Sequence, residues 1–202
     1  MGDLVLSFSM SLDGFIAGPD VSVDQPMGLG GERLHEWMFS SGATNSPARD
    51  ADAEMAAELH ERAGAVILGK RTFAIGVGLW GDTPFPAPSF VLTSEARPPL
   101  AMKSADFVFV NDGIASALRQ ARKAAGGKDI IVMGANAAQQ YLKAGLVDEM
   151  IIQLVPVLLG GGTRLFDHIG ADPIELANTR VVESPAVIHL RFRLPQQRRP
   201  AA

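Results

Sequence analysis

Ile130-Ile131-Val132-Met133-Gly134-Ala135-Asn136-Ala137-Ala138-Gln139-Gln140-Tyr141-Leu142 is the stretch on which the reading of the whole chain turns. Four apolar residues, too few for a helix, run into a glycine. Good helix formers follow, with apolar side chains at helical spacing, so the pattern predicts a buried strand, a tight turn and a helix. The first turn of a helix carries unpaired N–H donors and a partial positive charge, which suits a phosphate or pyrophosphate. Gly134 would let such a ligand approach the backbone closely. An ordinary connection of an α/β domain has the same spacing, because one glycine is far less specific than a full phosphate-binding fingerprint.

The pattern recurs upstream. Ala65-Val66-Ile67-Leu68-Gly69 reads as a buried strand that stops at glycine before a new helix, and Lys70-Arg71-Thr72-Phe73 opens that helix with two cations and a hydroxyl. Each cation is misplaced there by about 0.3 to 1 kcal/mol against the helix dipole. A phosphate held by Arg71, Thr72 and backbone N–H groups would offset that cost, as would simple solvation of a surface pair. Gly76-Val77-Gly78-Leu79-Trp80-Gly81 matches G-x-G-x-x-G letter for letter, but it closes a helical segment and runs into Asp82-Thr83-Pro84. A dinucleotide fingerprint must follow a strand and open a helix, so this match is a helix end and a turn.

Ser89 to Leu92 is a further strand, ending at the hydroxyls Thr93 and Ser94; Phe107 to Val110 is the next, and Ile114 to Ala124 is a helix. A helix from Asp50 to Arg62, acidic in its first turn, precedes the strand at 65–69. Strands therefore alternate with helices through residue 145. This predicts an α/β fold with a mainly parallel sheet, helices on both faces and ligands at the carboxyl ends of the strands. Gly69 to Thr72, Thr93-Ser94 and Gly134 to Ala137 all fall on that edge.

At the N-terminus, Leu4 to Met10 is apolar enough for a covered strand. Ser11 to Pro19 is punctuated by Asp13-Gly14 and Gly18-Pro19, so Asp13 is either a turn former or a polar group beside a ligand. Residues 18 to 31 form a loop long enough for a lid; Glu32 to Phe39 is a short helix with Trp37 in the core, and Ser40 to Pro47 is again loop. Beyond residue 146 the rhythm changes. Met150 to Leu159 reads as one long strand in which Gln153 is the only polar side chain, and a buried polar group needs a partner or ligand. Gly160-Gly161-Gly162-Thr163 is a turn, and Leu176 to Glu183 and Val187 to Leu194 form an antiparallel hairpin through Ser184-Pro185.

The 202 residues are expected to form one domain, 1–195, followed by a flexible tail, 196–202. Basic residues are scattered, aromatics are few and the formal net charge is −4, which excludes nucleic acid as the expected partner. With no cysteine there is no disulfide, thiolate metal site or cysteine nucleophile. His35, His60, His168 and His189 share no metal-ligand spacing; each is expected at the surface or in the core, and no metal is expected. Neither a secretion signal nor a run approaching the roughly 20 apolar residues of a membrane span is visible, so a cytoplasmic protein is expected.

Taken together, Ser11-Leu12-Asp13-Gly14-Phe15-Ile16-Ala17, Leu68-Gly69-Lys70-Arg71-Thr72-Phe73, Leu92-Thr93-Ser94, Val132-Met133-Gly134-Ala135, and Val147-Asp148-Glu149 with Pro156 to Phe166 resemble the reductase domain of the bifunctional riboflavin-biosynthesis deaminase-reductase, of the dihydrofolate reductase-like superfamily. The resemblance implies a three-layer fold with a central mixed, mainly parallel sheet, a homodimer, and NADPH lying across the strand ends. Residue by residue, it implies that Gly69, Lys70, Arg71 and Thr72, with Thr93 and Ser94, hold the adenosine 2′-phosphate side. Gly134, Ala135, Asn136 and Ala137 would hold the pyrophosphate, and Gly161, Gly162 and Thr163 would border the cofactor. Gln153 and Asp13 would face the substrate, with Asp52 or Glu54 as other candidate carboxylates. The implied activity is hydride transfer to a pteridine or ribosylamino-pyrimidine heterocycle. A non-catalytic NADP(H)-binding protein and a flavin- or quinone-type reductase are the alternatives.

Overall fold

The computed structural model describes residues 1–39 and 47–195. The expected loop at 40–46 and the expected tail at 196–202 lie outside the described residues. In chain order the elements are β1 (Leu4–Ser11), β2 (Phe15–Ala17), a 3₁₀ turn (Gly31–His35), α1 (Glu36–Phe39), α2 (Pro47–Arg62), β3 (Ala63–Gly69), α3 (Lys70–Trp80), β4 (Ser89–Leu92), β5 (Leu100–Ala101) and β6 (Asp106–Val110). They continue with α4 (Ile114–Ala124), β7 (Asp129–Met133), α5 (Ala135–Lys143), β8 (Glu149–Val155), β9 (Thr163–Arg164), β10 (Ala177–Glu183) and β11 (Ile188–Arg193).

Nine strands form one sheet in the order β10-β11-β8-β1-β7-β3-β4-β6-β5. The six from β8 to β6 are parallel; β5 and the β10–β11 hairpin run antiparallel at the two edges. The central strands are continuous apolar runs because helices cover both faces. Leu4, Leu6, Ile67, Ile130 and Val132 pack with Ala117, Leu118 and Ala121 of α4 and with Ala138, Tyr141 and Leu142 of α5. On the other face Val66, Leu68, Val91 and Phe107 pack with Phe73 of α3, and Val5, Ala63, Ile131 and Ile151 with Leu59 of α2.

Two boundaries differ from the sequence reading. The long strand expected to Leu159 ends at Val155, because Pro156 has no N–H for the ladder. The next residues cross to the β1–β2 turn instead, where Leu12 N–H donates to the Val157 carbonyl at 2.9 Å. Helix α2 starts at Pro47, three residues before the expected Asp50, proline being well suited to a first helical turn. The G-x-G-x-x-G match is indeed a helix end: Gly76 and Gly78 lie inside α3 and Gly81 caps it in the left-handed conformation.

A cleft at the carboxyl edge of the sheet

Three helices leave this edge directly from glycine. Helix α3 starts after Gly69, α4 after Gly113 and α5 after Gly134; none has a side-chain hydrogen bond at its N-cap and none an acidic residue in its first turn. Helix starts normally recruit Ser, Thr, Asp or Asn to satisfy their orphan N–H groups. Here all three starts border one cleft of about 1740 Å³. Ordinary small-molecule pockets hold about 300 to 1,000 Å³, so this one has room for a dinucleotide and a second ring. The start of α4 is a wall that the sequence reading missed, although Asn111-Asp112-Gly113 carries a turn signal of the same kind.

Of the residues expected to bind cofactor, Gly69, Lys70, Arg71, Thr72, Thr93, Ser94, Gly134, Ala135, Asn136, Ala137, Gly162 and Thr163 all line the cleft, whereas Gly161 does not. Gly134 has φ +88°, and a Cβ there would stand 2.3 Å from Thr72 Oγ1. Only glycine lets the starts of α3 and α5 come so close. Gly162, at φ +126°, would drive a Cβ to 2.0 Å from the Ala17 carbonyl, so it allows the 160–163 turn to lie against β2.

The two cations at the start of α3 are differently engaged. Lys70 Nζ donates to Glu95 Oε1, and this bond holds the Glu95 carboxyl below its ordinary range. Glu95 N–H in turn donates to Thr93 Oγ1 at 3.1 Å. Arg71 Nη2 donates to the Val21 carbonyl at 3.1 Å and so ties the 18–31 loop to α3. Val21, Pro26 and Met27 of that loop line the cleft, which fits the lid expected there.

The opposite wall is built on β1. Ser7, Phe8 and Ser9 line it, with Ile16 and Ala17 of β2. Ser9 Oγ accepts from Trp37 Nε1 at 3.0 Å and Ser7 Oγ from Gln153 Nε2 at 3.3 Å. Among the described residues neither hydroxyl donates to a protein acceptor. Gln153, expected to face substrate, is buried behind this wall and acts on the cleft only through Ser7. Ser9, Gln153 and His189 are register partners across β1, β8 and β11. His189 Nε2 lies 2.8 Å from Asp52 Oδ1, and its ring meets Trp37 edge-on at 5.1 Å. Asp52 is thus taken by a buried histidine and Glu54 is exposed; neither lines the cleft.

Asp13 stands apart from these residues. It is absent from the cleft wall, and its carboxylate accepts from Ser11 Oγ at 2.6 Å, from Leu159 N–H at 3.1 Å and from Gly160 N–H at 2.8 Å. The Ser11 hydroxyl and these two N–H groups hold it at about 2. Through these bonds it latches the β1–β2 turn to the segment after β8.

Two histidines, exposed His168 and half-buried His35, also belong to this site. His35 and His168 line the cleft. Burial pushes the His35 imidazole below its ordinary value, and its Nδ1 has no partner among the described residues. Glu32, His35 and Glu36, spaced i, i+3, i+4, share the cleft wall; that spacing is the signal that would have placed them together. Among the described residues no group of three His, Cys, Asp or Glu side chains could hold a metal, and no helix is long and apolar enough to cross a membrane.

Residues 3–190 match the model of the RibD C-terminal domain. A protein of Bacillus subtilis (strain 168) described as uncharacterized protein YwjB is 26% identical over 168 residues, spanning 82% of this chain and 83% of that protein. A putative riboflavin biosynthesis protein from Shewanella sp. PV-4 superposes with a TM-score of 0.66 at 23% identity, covering 96% of this chain and 99% of the other. Dihydrofolate reductase from Enterococcus faecalis, solved with NADP(H) and RAB-propyl, gives a TM-score of 0.54 at 16% identity, with 96% of each chain covered. These two likenesses establish a dihydrofolate reductase-like three-layer fold.

Proposed function

We propose, from the premise that this chain belongs to the RibD C-terminal domain family, that it is an NADPH-dependent reductase of the riboflavin-pathway type, passing a hydride to a pteridine or ribosylamino-pyrimidine heterocycle. The observation that carries this reading is the convergence of three uncapped, glycine-led helix starts on one large cleft, with Lys70 and Arg71 at its rim. Unpaired N–H donors with no acidic competitor suit a pyrophosphate, and a pair of cations suits a 2′-phosphate. The Enterococcus reductase of the same fold was solved with NADP(H), which supports the same cofactor here.

The residues present fit the group. Backbone N–H groups at 135–137 would hold the pyrophosphate, with Gly134 giving it room. Lys70, Arg71, Thr72, Thr93 and Ser94 would hold the phosphorylated ribose, and Gly162 and Thr163 would border the nicotinamide side. When bound, NADPH supplies the hydride. The chain supplies orientation and exclusion of water: Ser7 and Ser9 offer hydroxyl donors to a flat ring, and Val21, Pro26 and Met27 of the 18–31 loop, tied to Arg71, add apolar wall. Asp13 lies outside the cleft wall, so the proton comes from water admitted to the cleft, which Glu32, His35 and Glu36 also line.

Fluorescence titration with NADPH and with NADH tests the cleft, and loss of reduced-nicotinamide absorbance with dihydrofolate or a ribosylamino-pyrimidine tests the chemistry. Binding with preference for NADPH and turnover of one heterocycle is expected. Binding without turnover of either would favour a non-catalytic nucleotide-binding role, and absence of binding would refute the phosphate site.

A further inference from the structure

Glu95 is a carboxylate beside the end of the cleft that Lys70 and Arg71 line. It follows Thr93 and Ser94, both on the cleft wall, and its side chain holds Lys70, the first residue of α3. Its backbone N–H, bonded to Thr93 Oγ1, fixes the turn that aims it there. Arg71, next to Lys70, uses one donor on a neutral carbonyl and pairs with no carboxylate among the described residues.

Two recognition chemistries compete at the adenosine end of a dinucleotide. A carboxylate accepts from the free ribose 2′-hydroxyl of NAD-type cofactors, while cations take the 2′-phosphate of NADP-type cofactors. This chain carries both. We infer that Glu95 sets the cofactor choice of the cleft by occupying Lys70, so that a 2′-phosphate meets Arg71, a Lys70 already shared with a carboxylate, and that carboxylate's like charge beside them. The inference rests on the dinucleotide reading above. Lys70 and Glu95 side chains are 54% and 57% exposed, and a solvated pair of that kind is weak. Lys70 is therefore free to exchange partners, but Glu95 stays as a like charge next to the phosphate. NADH, with a hydroxyl there, is spared that repulsion.

The test is a set of four proteins, wild type, Glu95→Gln, Lys70→Ala and Lys70→Ala/Glu95→Gln, each titrated with NADPH and with NADH by nicotinamide fluorescence at low ionic strength. Both positions are exposed, so the variants keep the fold. Glu95→Gln is expected to tighten NADPH by about three- to tenfold, the scale of a surface charge pair acting on a multiply charged ligand, while NADH stays level or weakens. The gain should shrink but persist in the Lys70→Ala background, because Glu95 both occupies Lys70 and repels the phosphate directly. An unchanged NADPH-to-NADH ratio in Glu95→Gln, or a gain equally large with and without Lys70, would overturn the inference. If neither nucleotide binds wild type or any variant, the dinucleotide reading itself fails and this inference with it.

Discussion

Arg71 and Gly134 stand at the two ends of the proposed dinucleotide, and their substitutions should have different signatures. Arg71→Ala should weaken NADPH by about 1.5 to 3 kcal/mol, the worth of a charge-assisted hydrogen bond, and leave NADH almost unchanged. Equal losses for both nucleotides would remove Arg71 from the 2′-phosphate. Gly134→Ala should weaken the two nucleotides alike, because the pyrophosphate is common to both and the new Cβ collides with Thr72 Oγ1 in a backbone conformation that L side chains rarely adopt. Isothermal titration would separate the two patterns. Asp13 gives a third residue-level expectation. Its folded value of about 2 lies below the 3.8 of an unfolded aspartate, so its latch stabilises fully above that range and fades as pH falls from 3.8 toward 2. Urea midpoints of wild type and Asp13→Asn should therefore differ at neutral pH and converge in acid; a gap independent of pH would refute the latch.

At the level of elements, the buried row of Ser9, Gln153 and His189 crosses three strands and is closed from α2 by Asp52. His189→Leu would leave the Asp52 carboxyl buried without its partner, a change that costs about 3 to 5 kcal/mol for a buried pair. Replacing both by leucine should recover much of that loss in chemical denaturation. Part of this arrangement was legible beforehand and part was not. Strands β3 and β7 stood out because parallel strands covered on both faces are unbroken apolar runs, and α5 because its apolar residues keep helical spacing after a glycine. Strands β2, β5 and β9 have three, two and two residues, too few to show any period. Val157, Leu158 and Leu159 looked like more strand, since apolar character does not reveal that Pro156 has ended the ladder. The role of Asp13 was hidden for a different reason: the N–H groups that claim it lie 146 and 147 residues further along the chain. Local pattern identified a carboxylate before a glycine; only the fold supplies its donors.

Over the molecule as a whole, β10 forms an outer edge with every residue from Ala177 to Val181 exposed, Val181 at 47%. Open edges of this kind accept another strand or surface, and we propose this edge for the homodimer expected from the resemblance. Sedimentation velocity should then show a dimer that Val181→Glu shifts toward monomer; a monomeric wild type would refute it. The other long-range feature is the place of β1. It precedes both of its neighbours in the chain, lying between β7 and β8, with its start fixed by side chains far downstream: Asp3 N–H donates to Asp129, 126 residues away, and Leu4 N–H to Asp148, 144 residues away. At a synthesis rate of roughly 5 to 20 residues per second, the nascent apolar strand waits on the order of ten seconds for its neighbours. During that interval Leu4 to Met10 is an apolar strand with both edges unpaired, so a slower arrival of its partners lengthens the time in which another chain could claim it.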